Sequence, residues 1–233
     1  MVAWEKFYLQ FIVYEGYLEV LKGLLVTVEV AVAGLLIGIV LGTLIAITRV
    51  VPKYKVLPRV LNRISDVYVG FFRGTPMVVQ LLIGYFVLMP ALGLHLDNVL
   101  VSIIVFGMNS GAYISEIMRA GIESVDRGQL EASRALGMTY ASAMIKVVIP
   151  QAIKNILPTL GNEFIVLIKE TSILSFIAVV DLTKAFRAIG DANYEYIIPY
   201  IILAVVYLVL VMIISKGVKL LERRLKKSDR KSN

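Results

Sequence analysis

The sequence predicts an all-α, polytopic membrane protein with about five transmembrane helices and a short cytoplasmic coupling helix. Three observations carry that expectation. Of 233 residues, 58% are hydrophobic, and the mean hydropathy is +0.81, more apolar surface than a soluble core hides. The apolar residues fall in runs near the ~20 residues needed to cross a bilayer. Basic residues cluster in alternate connections between these runs, which is how membrane orientation is written.

Residues 24–47 form the first run, with Glu29 as its one charge. Its length exceeds a signal-peptide core, and the preceding stretch carries Glu5, Glu15 and Glu19 rather than a basic start, so no cleavage is expected. Further spans are read at 76–96, 99–118, 151–180 and 197–214, all within one transmembrane domain, 1–233. The segment 126–150 is a polar coupling segment, and 215–233 is a basic tail.

Arg49, Lys53, Lys55, Arg59, Arg63 and Arg73 separate the first two spans, while Arg119, Arg127, Arg134 and Lys146 lie between the third and fourth. The tail adds Lys216, Lys219, Arg223, Arg224, Lys226, Lys227, Arg230 and Lys231. The opposite connections hold only Lys6, Lys22, Lys184 and Arg187. The expected orientation therefore places the N-terminus outside and the C-terminus in the cytoplasm. The net charge of +7 belongs to this topology, and no basic face interleaved with aromatics calls for nucleic acid. With no cysteine and a single histidine, His95, neither disulfides nor a zinc cluster are expected. His95 reads as exposed in an outer connection.

Within the coupling segment, Gln129 to Leu136 are good helix formers, Glu131 can pair with Arg127 or Arg134, and Gly137 suits a helix end. Thr139 caps a second helix running towards Pro150, with a bend or break expected at Pro158. Gly34, Gly38 and Gly42 form a stripe for close helix packing. Glu116, Arg119 and Glu123 read as an ion-pair ladder. Glu29 is given no function and is expected to face other helices near the outer boundary.

An ionisable residue inside a membrane is costly and faces a cavity or a partner. Glu163 lies about 18 Å along a helix from Gln151, near mid-membrane, the depth at which transporters bind substrate. Asn162 stands beside it. Asn109, Ser110 and Tyr113 of the third span and Tyr85 of the second are the other candidates for the same cavity, with interhelical hydrogen bonding as the plainer role for each.

The order Glu131-Ala132-Ser133, three residues, Gly137, nine residues, then Val147, Ile149 and Pro150 resembles the "EAA" motif of permease subunits in bacterial ABC importers. "FFRGTPMVVQL" at 71–81, "SGAYISEIMRAGIESVDRGQLEA" at 110–132 and "NEFIVLIKETSILS" at 162–175 are similar to the polar amino acid branch (histidine, arginine and glutamine type) of those permeases. Ser133 stands where the motif has alanine, and Val147 and Ile149 replace its isoleucine and leucine. The resemblance implies a multi-pass bacterial plasma-membrane importer that moves an amino acid by alternating access. It also implies that Glu131, Ala132, Ser133 and Gly137 couple this chain to two cytoplasmic ATP-binding subunits, and that an extracytoplasmic binding protein delivers substrate.

No GxxxxGK[ST] loop is present, so ATP and Mg are expected in the partner chain, with no cofactor, metal or catalytic residue in this one. Five spans enclose little, so a second permease subunit, identical or not, is expected beside this one in the lipid. A basic amino acid (arginine, lysine or histidine) is the preferred substrate, because a mid-membrane carboxylate pairs with a cationic side chain or with the α-ammonium group. Glutamine, glutamate and other polar amino acids stay open, as do a channel or ion-gradient-driven transporter and a membrane scaffold.

Overall fold

The computed structural model describes residues 2–229, and among them there are helices and connections but no strands. Arg230, Lys231 and the end of the basic tail lie outside the described residues. Eleven α-helical segments follow in order: α1 Ala3–Tyr8, α2 Gly16–Val50, α3 Val56–Gly74, α4 Met77–Ile83, α5 Met89–Ala91, α6 Asn98–Glu123, α7 Arg127–Ala135, α8 Tyr140–Ala143, α9 Ile149–Glu170, α10 Leu182–Asp191 and α11 Ile197–Asp229. Short π-helical turns join α4 to α5 and α8 to α9.

Three helices, α2, α6 and α11 through Leu225, are long and apolar enough to cross a membrane, and the α3/α4–α5 pair makes a fourth if a helix bent by 108° counts as one span. The first, third and fifth expected runs, 24–47, 99–118 and 197–214, fall within these three longer helices. The residues between the first two spans, which look like a connector, form α3 instead. Its Ser65, Val69 and Phe72 recur at helical spacing and face inward, so basic residues on the other face conceal an amphipathic helix. The α9 stretch expected as a span carries Lys154, Glu163, Lys169 and Glu170 and does not join the long apolar helices. Pro158 lies inside α9 without ending it.

Burial ranks the helices. Within its most apolar window α6 is 61% buried, α2 33% and α11 11%; α6 is therefore the axis of the chain and α11 its apolar periphery. The glycine stripe explains the α2–α6 contact. A Cβ on Gly34 would lie 3.0 Å from Phe106 Cβ, one on Gly38 2.6 Å from Ser110 Oγ, and one on Gly42 2.7 Å from Ile114. Gly107 and Gly111 of α6 receive Ile37 and Leu41 in return, so small residues on both helices bring the backbones together.

The main core joins Val30 and Ala31 of α2, Leu81, Val105, Phe106 and Leu167. A second unites Phe7, Val20, Phe186 and Ile189. Asp181 caps α10, accepting the N–H groups of Thr183 at 3.0 Å and Lys184 at 3.1 Å, while Leu182 N–H donates to Thr27 Oγ1 of α2 at 3.2 Å. Burial pushes the Asp181 carboxyl above its ordinary range, against the pull of those backbone bonds. Glu29 is exposed on α2, so it does not face other helices of this chain.

Candidate functional site

Pro76 disfavours helix at Thr75, and the chain turns sharply from α3 into α4 there. Gln80, buried one turn into α4, holds that corner. Its Nε2 donates to Phe72 O at 2.8 Å, Thr75 O at 3.0 Å and Thr75 Oγ1 at 2.8 Å. Asn109 of α6 donates from Nδ2 to Gln80 Oε1 at 2.8 Å and to Phe72 O at 3.3 Å. The carbonyls freed by the end of α3 are thereby satisfied inside the protein, as an apolar surrounding requires.

The corner forms one wall of a 560 Å³ cavity, within the ~300–1,000 Å³ typical of small-molecule sites. Thr75 and Met77 come from the corner, Asn109 and Tyr113 from α6, and Glu163 and Glu170 from α9. Glu163 is 8% exposed. Its one hydrogen bond among the described residues is a long one, accepted from Ser110 Oγ at 3.5 Å. Ser110 lies against the Gly38 contact, so the α2–α6 packing fixes the group behind the carboxylate.

Of the residues singled out for the cavity, Glu163, Asn109 and Tyr113 line it, and Ser110 supports Glu163 from behind. Asn162 is exposed beside Glu163 and does not line the cavity. Tyr85, in the π-helical turn Gly84–Leu88, packs against the main core and is not on the lining. Thr75 and Gln80 are not among the sequence candidates, whereas Glu170, seven residues after Glu163 and so on the same helix face, also lines the cavity. A single amide in the apolar run "MVVQLLI" is the signal for Gln80.

One α6 turn beyond Tyr113, Glu116 gathers an ion cluster larger than the expected ladder. Arg49 of α2 bonds it directly and also reaches Asp66 of α3 at 3.3 Å. Arg119 donates to Glu116 at 3.2 and 2.8 Å and to Glu123 at 2.7 Å. Arg73 Nη1 lies 3.6 Å from Glu116. The cluster ties α2, α3 and α6 together at the end of α6 that leads into α7.

In α7, Asp126 caps the start by accepting Gly128 N–H at 2.7 Å. Gly137, at φ +87, ends it in the left-handed region. The bonds Met138 N to Ser133 O, 3.2 Å, and Gly137 N to Arg134 O, 3.0 Å, form the paired C-terminal closure that favours glycine. Thr139 then caps α8 through Ser142 N–H at 3.2 Å. Ser133 is buried and donates to Gln129 O at 2.7 Å, whereas Glu131, Ala132 and Gly137 are exposed. Among the described residues Glu131 pairs with neither Arg127 nor Arg134, although its spacing allows both. Leu136, which composition did not mark, is 86% exposed. Among the described residues no group is placed to hold a metal ion.

A mostly apolar cavity with a few polar groups on its wall, set among long apolar helices and with an exposed, capped helix beyond the end of α6, suits the passage of a small polar molecule. Residues 34–227 match the family described as binding-protein-dependent transport system inner membrane component. The chain belongs to this family. It is 40% identical over 210 residues to the arginine transport system permease protein ArtQ of Bacillus subtilis, covering 90% of this chain and 94% of that one. It is 39% identical over 208 residues to the putative glutamine transport system permease protein GlnP of Rickettsia bellii, covering 89% and 93%. The crystal structure of an amino acid ABC transporter with histidines superposes with a TM-score of 0.84 at 40% identity, over 93% of this chain and 98% of that one. The MetNI methionine ABC transporter, at 19% identity and TM-score 0.72 over 88% and 95%, shares the fold. The chain is thus a non-catalytic permease subunit of the inner membrane, and ATP hydrolysis falls to a partner.

Proposed function

We propose that this permease imports amino acids, with a preference for basic ones, through the cavity that Glu163 faces. The observation carrying this reading is a nearly buried carboxylate with no cation against it: Ser110 is its only hydrogen-bond partner among the described residues, and Lys169 is exposed on another face of α9. A substrate ammonium or guanidinium supplies the missing charge. Glu170 on the same wall deepens the negative field. Arginine-named and glutamine-named permeases are similar to this chain to nearly the same degree; a neutral substrate using Glu163 for its α-ammonium group is therefore the second reading.

In this account α7 is the coupling helix. Glu131 anchors it in a cleft of the ATP-hydrolysing subunit, Ala132 and Gly137 permit close approach, and Leu136 contributes apolar contact. Two ATPase subunits closing on nucleotide pull the α7 of each of two permease subunits, and the ion cluster at Glu116 carries the movement into α2, α3 and α6. The N-terminus is outside, where a binding protein delivers substrate, and α7 and the C-terminus are cytoplasmic. The test is reconstitution with the ATPase and binding protein in liposomes, asking which amino acid stimulates ATP hydrolysis. Arginine or lysine is expected to be most effective; stimulation by glutamine alone would establish the second reading.

A further inference from the structure

Every amino acid carries an α-carboxylate, yet the charged residues lining the cavity, Glu163 and Glu170, are both acidic. A carboxylate brought there needs a donor, preferably a guanidinium. Arg73 is at hand, two residues before the cavity-lining Thr75. Its guanidinium carbon stands 5.5 Å from the centroid of the Tyr113 ring, the same ring that lines the cavity.

Arg73 is also the loosest member of the ion cluster. Arg49 holds Glu116 and has Asp66 at 3.3 Å; Arg119 holds Glu116 at 2.8 Å and has Glu123 at 2.7 Å. Among the described residues the one ion contact of Arg73 is that with Glu116, at 3.6 Å, and its side chain is 46% exposed against 15% for Arg49 and 34% for Arg119. When it leaves, Glu116 keeps two guanidiniums, so no buried charge is stranded. The Tyr113 ring against which Arg73 rests is itself part of the cavity wall, so the contact joins the ion cluster to the cavity.

We infer that Arg73 swings across Tyr113 from Glu116 into the cavity and binds the α-carboxylate of the transported amino acid. This rests on the reading that the cavity holds the amino acid. It divides recognition between Arg73, which reads the group all amino acids share, and Glu163, which reads positive charge.

The test is equilibrium binding of radiolabelled arginine and of agmatine, which is arginine without its carboxylate, to the purified permease–ATPase complex with no binding protein present. The unmodified complex is expected to bind arginine at least tenfold more tightly than agmatine; equal affinities overturn the proposal without any variant. Arg73→Gln is expected to weaken arginine at least tenfold and agmatine less than twofold, with Arg73→Lys intermediate for arginine. An equal loss for both ligands, or no loss for arginine, overturns it. Glu163→Gln separates the two readings. If it weakens both ligands while Arg73→Gln weakens neither, only the Arg73 assignment falls; if it weakens neither, the cavity reading falls on its own account and the Arg73 assignment, which rests on it, falls too.

Discussion

Asn109 Nδ2 and Gln80 Oε1 are joined at 2.8 Å, and this bond, with that from Asn109 to Phe72 O, ties the corner between α3 and α4 to the central helix α6. Because the same two amides also satisfy Phe72 O and Thr75 O, the corner is a closed polar network in an apolar setting. Removing one member strands the others, at about 1–3 kcal/mol for each buried group left unpaired. Gln80→Leu and Asn109→Leu are therefore expected to lower the melting temperature of the detergent-solubilised complex by several degrees and to reduce uptake. Wild-type melting and uptake in both variants would contradict the role of the network.

Gly38 faces Ser110 at a distance that leaves no room for a methyl group, and Ser110 is the group touching Glu163. Gly38→Val must push α2 from α6, an overpacking that costs about 1–3 kcal/mol. Weaker substrate binding together with lower thermal stability is expected. Gly70, with nothing within 4 Å of its Cβ position, is the control: Gly70→Ala is expected to leave both unchanged.

At the end of α7, Gly137→Leu forces a branched residue into the left-handed region, costing about 1–2 kcal/mol, and adds bulk to an exposed surface. Glu131→Ala removes an exposed carboxylate from the same surface. Both variants are expected to insert normally and to lose substrate-stimulated ATP hydrolysis and transport. Normal coupling in both would remove α7 from the account.

Orientation is checked by labelling single cysteines. A cysteine at Asp191 is expected to react with an impermeant reagent from outside intact cells, and a reporter fused after Asn233 is expected to be cytoplasmic. The reverse pattern would put α7 on the wrong side for an ATPase.

Much of this was legible in the sequence because it rests on local chemistry. The glycine stripe, the Thr139 cap, the turn at Gly137 and the placing of the acid Glu163 within a helix each follow from residue type and spacing. What stayed hidden depends on which side of a helix meets another. Basic residues masked the inward stripe Ser65, Val69 and Phe72 of α3. Tyr85 and Asn162 are the right residue types, but one turns into the core and the other outward. Pro158 suggests a break by its chemistry, yet α9 continues through it. Arg73 looks like one more topology signal until α6 brings Tyr113 and Glu116 to it.

The central claim is that Glu163 supplies the charge that draws a basic amino acid into the cavity. It is tested most directly by uptake of arginine, lysine, histidine and glutamine into proteoliposomes carrying Glu163→Gln, a change that keeps size and hydrogen bonding. Losing one partner of a buried charge pair costs about 2–5 kcal/mol, so apparent affinity for arginine and lysine is expected to fall at least tenfold, with assembly intact and glutamine reduced less. Unchanged uptake of all four, at wild-type expression, would contradict the account and leave Glu163 a structural residue.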